Sequence, residues 1–322
     1  MDRRTATTAL LGLALAPLAA RAQAWPTRTL KIINPFPPGS PVDVVSRAVA
    51  QALEGGLKQT VIVDYKAGAG GTIGAAEVAR APADGYTLLV TSSSTHVIAP
   101  ALRKQLPYDA VKDFVPVAMI GYGPTVIVVH PSVPANTLAE FVQYAKANPG
   151  KVSYASSGPG TILHLSGELF SHRTGAQLLH VPYKGAVPAS TDLLGGQVQT
   201  MFDSISNAAP QVRAGKLKAL AVLTPNRTPL LPGVPTAVEA GFTGLDFPAW
   251  LGVFAPAGLP KDVTDKLAGT LQAAIAQGEV RDKLMQSGIT PAFMTGDAFA
   301  AKLAADQKLV ADLVKVANVP QQ

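Results

Sequence analysis

Two stretches of this chain set hydroxyls beside an imidazole, the minimum for nucleophilic hydrolysis. Thr91-Ser92-Ser93-Ser94-Thr95 runs into His96, and Ser156-Ser157-Gly158-Pro159-Gly160-Thr161 precedes His164. A hydrolase would draw on Ser92 or Ser157 with His96 or His164. Against it, no Gly-x-Ser-x-Gly elbow occurs, and five His in the whole chain leave few triads to assemble. Hydroxyls at strand ends can instead donate to a carboxylate, or satisfy only the backbone of a turn. A lone His between Leu163 and Leu165 is more often a packed, hydrogen-bonded residue than a catalyst, and nothing at helical spacing supplies a second metal ligand. Cys is absent, which removes thiol catalysis and Cys-ligated metals. Neither a metal nor a cofactor is expected.

A third stretch, Asn34-Pro35-Phe36-Pro37-Pro38-Gly39-Ser40-Pro41-Val42-Asp43, offers anion binding. Ser40 ahead of Pro41, with Asp43 at the third helical position, reads as a helix start of capping-box type. The N–H groups left over and the positive end of the helix dipole suit a carboxylate. The plain alternative is that Ser40 and Asp43 only cap the helix. Residues 156–161 repeat the arrangement, a strand feeding a Gly/Pro/Ser turn into a helix N-terminus. Two such turns facing across a cleft would grip one carboxylate from both sides. Gly68-Ala-Gly-Gly-Thr-Ile-Gly74 imitates a dinucleotide fingerprint but fails on spacing, since its third glycine would fall at Ile73, and no P-loop lysine follows.

These turns need elements to carry them. Apolar runs at 29–33, 61–63, 86–90, 113–120 and 125–130 read as strands, with helices opening at Pro41 and in the 68–74 loop. Their alternation predicts a mainly parallel sheet with helices on both faces. Thr137-Leu-Ala-Glu140 is a capping box whose helix stops at Asn148-Pro149-Gly150. A second α/β unit then begins, with strands at 152–155, 178–181, 199–202 and 217–223 and helices at 162–173 and after Gly185; the third of these strands ends in Asp203-Ser204. Residues 225–235, rich in Pro, Thr and Arg, suit a connector between lobes. Thr236 and Glu239 cap a short helix ending at Gly241, and residues 250–255 form a strand returning to the first lobe. Amphipathic helices at 261–276, 279–286 and 298–317 indicate packing rather than chemistry.

The N-terminus bounds the compartment. Asp2, Arg3 and Arg4 precede an apolar run from Ala9 to Ala20 and an Ala22-Gln23-Ala24 site, the pattern of a secretory signal over residues 1–24. No later stretch offers the ~18 uninterrupted apolar residues of a spanning helix. The 298 or so residues left, at ~150 per domain, predict two domains. The formal charge of +6 is spread out, with no Lys/Arg cluster interleaved with aromatics, so nucleic acid is a poor partner and a small anion a good one.

Short motifs follow one another along the whole mature chain: Pro-Phe-Pro-Pro-Gly at 35–39 with Asp43, the glycine loop at 68–74, Ala-Asp-Gly-Tyr-Thr-Leu at 83–88, Leu-Pro-Tyr-Asp at 106–109 with Lys112-Asp113-Phe114, and Ala-Asn-Pro-Gly-Lys at 147–151. They continue through His164-Leu-x-Gly-Glu-Leu-Phe170, His180-Val-Pro-Tyr-Lys-Gly185, Leu193-Leu-Gly-Gly-Gln-Val198, Met201-Phe-Asp203, Ala214-Gly-Lys-Leu-x-Ala-Leu220 and Phe254-Ala-Pro-Ala-Gly258. Each motif alone is weak, but so many in order are specific. In them the chain resembles the solute receptors of tripartite tricarboxylate transporters, the Bug family.

The resemblance implies an α/β, periplasmic binding protein-like fold of type II, two α/β lobes around a central ligand cleft. Lobe 1 would comprise 25–124 and 248–322 and lobe 2 125–247, with crossings near Pro124 and Pro225. A periplasmic, monomeric receptor would hold a small organic carboxylate and deliver it to membrane transporter subunits, or report it to a sensor, which needs the same cleft. Carried over, the ligand contacts are Phe36, Pro37, Gly39, Ser40 and Asp43 on one side and Ser156, Ser157, Gly158, Thr161 and His164 on the other, with Thr91 and Asp203 nearby. Asp43 would organise the turn rather than touch the ligand, since two carboxylates repel. The family turn usually reads Gly-Gly-Ser/Thr-x-Asp, whereas here Ser40, Pro41 and Val42 follow one glycine, and Leu163 stands where Ser or Thr often precedes the histidine. Fewer polar groups favour a single carboxylate on an apolar or aromatic body.

Overall fold

The computed structural model describes residues 25–224, 226–245, 249–316, 319 and 321. The signal segment, Pro225 and the lobe boundary at Pro248 lie outside these. Strands β1 (Leu30–Asn34), β2 (Val61–Tyr65), β3 (Thr87–Ser92), β4 (Phe114–Tyr122), β10 (Trp250–Pro256) and β11 (Thr290–Thr295) form a six-stranded sheet in the order β11-β4-β10-β3-β1-β2. Strands β5 (Thr125–Val129), β6 (Ser153–Ser156), β7 (Leu179–Pro182), β8 (Thr200–Ser204) and β9 (Lys218–Val222) form a five-stranded sheet in the order β7-β6-β8-β5-β9.

Both sheets are mixed, not mainly parallel. The returning strand β10 lies antiparallel between β3 and β4, and β5 lies antiparallel between β8 and β9. An apolar run sets burial but not direction, so alternation of strands and helices could not reveal these insertions. Side chains alternate into separate cores. Ile32, Leu88 and Val90 pack on one face of the first sheet and Ile33 and Leu89 on the other; Val126 and Val128 oppose Ile127 and Val129 in the second.

Helices cover these faces: α1 (Pro41–Leu57), α2 (Thr72–Ala79), α3 (Ala99–Leu102), α4 (Leu138–Ala147), α5 (Ile162–Thr174), α6 (Ala186–Leu194), α7 (Ile205–Arg213), α8 (Lys261–Ala276), α9 (Glu279–Gln286) and α10 (Gly296–Val316). Strand β11 and helix α7 were not expected from the sequence. The helix expected at 236–241 is a single turn: Thr236 and Glu239 exchange both capping-box bonds, at 2.8 and 3.1 Å, but residues 237–241 do not continue it.

Topology decides where a cleft can lie. Strand β4 runs parallel to β3, because both lie antiparallel to β10, and hence to β1 and β2, which run parallel with β3; it leaves the first sheet at the edge where those three strands end. It enters the second sheet as β5, whose first residue Thr125 pairs with Ser204 at the end of β8. The carboxyl ends of the parallel strands in both sheets therefore face the same crossing, the place where open α/β sheets bind ligands. The two crossing segments are tied together by the Gly123 N–H, which donates to the Ala249 carbonyl at 2.8 Å.

Candidate ligand site

The turn after β1 is organised by Asp43. Its Oδ2 accepts the Gly39 N–H at 2.9 Å, and its Oδ1 accepts the Tyr65 hydroxyl at 2.6 Å and Arg47 Nε at 3.0 Å. Burial alone would raise the Asp43 pKa, but these bonds and the Arg47 charge outweigh it and leave the carboxyl below its usual range. Ser40 caps α1, its Oγ accepting the Asp43 N–H at 3.2 Å, and its own N–H donates to the Pro37 carbonyl at 3.3 Å. With Gly39, Ser40 and Asp43 thus engaged and Pro41 lacking a donor, Val42 carries the one first-turn N–H with no partner among the described residues. Phe36 closes the side of this turn: a Cβ added to Gly71 would lie 3.0 Å from its Cζ and 2.7 Å from Thr95 Cγ2. An Asp43→Asn variant turns an amide NH₂ toward a donor, so a loss of about 1–3 kcal/mol is expected. A thermal midpoint equal to wild type would show that the charge does not organise the turn.

Beyond β3 the hydroxyl run is buried and turned inward. Thr91 Oγ1 lies 2.9 Å from Thr95 Oγ1, which lies 2.8 Å from His96 Nδ1. His96 stacks on Phe254 at 3.9 Å and meets the edge of Phe114 at 4.6 Å. Its Nε2 has no partner, and burial pushes its pKa down to about 3. The Ser92 Oγ accepts the Ser94 N–H at 3.3 Å and is not bonded to His96.

The turn after β6 is the second anchor. Thr161 caps α5, its Oγ1 donating to the Gly158 carbonyl at 2.8 Å and accepting the His164 N–H at 3.4 Å. Gly158 (φ +124°) packs so closely that an added Cβ would sit 3.1 Å from the Tyr183 carbonyl. Ser157 is half-buried and has no hydrogen bond to His164. His164 Nδ1 accepts the Gly160 N–H at 3.3 Å; burial, then the neighbouring His180, lowers its pKa to about 4. Leu163 points into the core with Ala155, Ala189 and Leu193, so it forms no wall of a cleft. Asp203 is fully buried near the crossing, accepting from Ser204 N at 2.7 Å and Asn207 Nδ2 at 2.6 Å; burial raises its pKa to about 7.

Several residues here escaped the sequence reading. Tyr154 and His180 are direct partners in the parallel β6–β7 register, and their rings stack at 4.8 Å. His180 in turn stacks on His164 at 4.2 Å and meets Ser156 Oγ at 2.7 Å. Leu102 reaches across from the first lobe, its Cδ1 3.7 Å from a Cβ built on Gly160, and Arg103 Nη2 donates to the Ala69 carbonyl at 2.8 Å. Only the strand register and the crossing bring these together. No cluster of His, Cys, Asp or Glu fit to hold a metal occurs among the described residues.

Residues 45–317 match the model of the tripartite tricarboxylate transporter family receptors. The chain belongs to this receptor family. It is 38% identical over 319 residues to a protein of the tcbD-tcbE intergenic region of Pseudomonas sp. strain P51, covering 96% of this chain and 95% of that one. Among solved structures it resembles the periplasmic binding protein BugD, with 38% identity and a TM-score of 0.84 over 92% of this chain and 100% of that one. It also resembles R. palustris Rpa4515, solved with adipate, with 32% identity and a TM-score of 0.86 over 91% and 98%. The fold is accordingly the two-lobed type II binding-protein fold, and receptors of this family are not enzymes. Among the described residues Ser156 lies 2.7 Å from His180 and Ser132 lies 2.7 Å from His130; Ser156 is fully buried, and neither pair involves the Ser92, Ser157, His96 or His164 that a hydrolase would draw on. No described helix is long and apolar enough to cross a membrane.

Proposed function

We propose that the mature chain is a periplasmic, monomeric receptor that closes around a small carboxylate between its two lobes and passes it to the membrane subunits of a tripartite transporter. The observation that carries this reading is the pair of capped helix N-termini, Ser40 of α1 and Thr161 of α5, at the strand ends that flank the crossing. Each presents a dipole-positive end to an anion, with one unpartnered first-turn N–H, that of Val42, in α1 and two, those of Ile162 and Leu163, in α5. The adipate held by the similar receptor Rpa4515 is a carboxylate of this class. Two connecting segments allow the lobes to move, and ligand favours the closed form only through contacts made when both turns reach it. Phe36 and Pro41, both partly exposed, support the apolar-body preference on the first side, whereas Val42 and Leu163 pack into cores and contribute nothing to it. Tighter binding of citrate than of an aromatic carboxylate in calorimetry would overturn that preference.

The test is a thermal-shift screen of the mature protein against mono-, di-, tri- and aromatic carboxylates, with esters added to detect turnover. A ligand at 100 times its dissociation constant adds about 2.7 kcal/mol, a shift of several degrees. Ser40→Pro, compatible with the local φ of −74°, and Thr161→Ala should each weaken binding about tenfold while moving the unliganded midpoint by only a few degrees. No shift with any carboxylate, or unchanged affinity in both variants, would place the function or the site elsewhere.

A further inference from the structure

We propose that His180, on strand β7, is a positioning residue for the ligand turn of the second lobe, acting through Ser156 on the Gly158 N–H. The inference rests on the receptor reading above. The contact runs through one oxygen. Ser156 Oγ accepts the Gly158 N–H at 3.2 Å and lies 2.7 Å from His180 Nε2. That oxygen keeps its own proton and a second lone pair, so the contact with Nε2 is made by the hydroxyl proton or by an Nε2–H according to the imidazole tautomer. The Gly160 N–H is held in the same way by His164 Nδ1 at 3.3 Å, and His164 stacks on His180 at 4.2 Å. Two stacked imidazoles therefore fix two of the turn's N–H groups from below. The N–H groups of Ser157, Ile162 and Leu163 have no partner among the described residues and remain for a ligand.

The stack itself is held rigidly. Tyr154 packs on the other face of His180, and its hydroxyl donates to Glu168 Oε1 at 2.5 Å. Glu168 Oε1 also stands 3.9 Å from His164 Nε2. Tyr154, Ser156 and His180 share one face of the β6–β7 ladder because Tyr154 and His180 are paired and Ser156 lies two residues on. A turn pre-formed in this way loses less entropy when ligand binds.

Two variants separate positioning from packing, because they predict opposite rank orders. His180→Phe keeps the stacked ring and loses Nε2; His180→Gln loses the ring but keeps an acceptor for the Ser156 hydroxyl. With adipate, citrate and benzoate as calorimetric probes, His180→Phe should weaken the best of the three about tenfold and His180→Gln no more than about threefold. Ser156→Ala, which also frees the Gly158 N–H, should weaken binding at least as much as His180→Phe, and the double variant should be no worse than Ser156→Ala, since His180 acts only through that hydroxyl. Amide exchange of the unliganded protein gives a ligand-independent reading. Gly158 should lose protection at least tenfold in His180→Phe, while Gly160, held by His164, and the β6 amides keep theirs. If wild type binds none of the probes, the receptor reading fails and exchange alone decides the role of His180. Unchanged exchange in His180→Phe, additive losses in the double variant, or Phe outperforming Gln would each overturn the proposal.

Discussion

Acidification from pH 7 to pH 4 should cost wild type about 3 kcal/mol more folding stability than it costs a His96→Phe variant. His96 is fully buried, its pKa driven down by desolvation to about 3, whereas in the unfolded chain it returns to about 6.5. Below pH 6.5 the unfolded chain takes up a proton that the fold refuses, so stability falls with pH until the folded pKa is reached. At pH 4 the deficit is roughly 2.5 pH units at 1.36 kcal/mol each, about 3 kcal/mol. His164 pulls in the same direction, with a folded pKa of about 4. Asp203 opposes both. Its pKa is raised to about 7, so its contribution is fully present below the unfolded carboxylate pKa and is lost as pH rises through 7; acidification restores it. Phenylalanine at position 96 keeps the ring on Phe254 and removes the titrating nitrogens. Denaturant midpoints of both proteins at pH 7 and pH 4 provide the measurement, and the difference between the two pH values matters rather than absolute stability. Parallel pH profiles would mean that His96 is not the buried, neutral group described above.

Alanine at Gly167 and at Gly269 should move stability in opposite directions, although both glycines lie inside helices. Replacing a helical glycine by alanine ordinarily gains about 0.5–1 kcal/mol by restricting the unfolded chain. Gly269, in α8, has nothing within 4 Å of an added Cβ, so the gain should be realised there. At Gly167, in α5, the new methyl would overlap the Tyr154 ring, reaching 2.6 Å from its Cζ. Tyr154 cannot swing aside cheaply, being fully buried, stacked on His180 and bonded to Glu168 at 2.5 Å. A loss of about 1–3 kcal/mol is expected. Ligand affinity should fall with it, because the displaced ring carries the His180–Ser156 contact under the turn. A Gly167→Ala protein as stable as Gly269→Ala would show that the ring does not occupy that space.

The parts of this protein that were legible in one dimension are those whose bonding closes within a few residues. Ser40 capping Asp43, Thr161 capping His164 and the Thr137–Glu140 box each lie within three residues of their partner, and residue type alone decides them. The run of family motifs carried the two-lobed fold and the receptor class through their order along the chain, although several, such as those at 164–170 and 201–203, lie inside a helix or a strand. The turn at Thr236 marks the limit: its capping bonds form as the pattern predicts, yet the chain takes a left-handed φ of +87° at Gly241 and the turn goes no further.

What only the tertiary structure decided depends on partners far apart in the chain. Tyr65 reaches Asp43 across 22 residues and Ser156 reaches His180 across 24, each through strand register. Local pattern marked most of the buried strands and the capped helix starts at Ser40, Thr137 and Thr161, but not strand β11 or helix α7. It left open the antiparallel entry of β10 between β3 and β4, and whether Leu163 faced ligand or core. Both were settled by which arrangement of the two sheets buries the most apolar surface while pairing the strand backbones, a sum over contacts that no single segment contains.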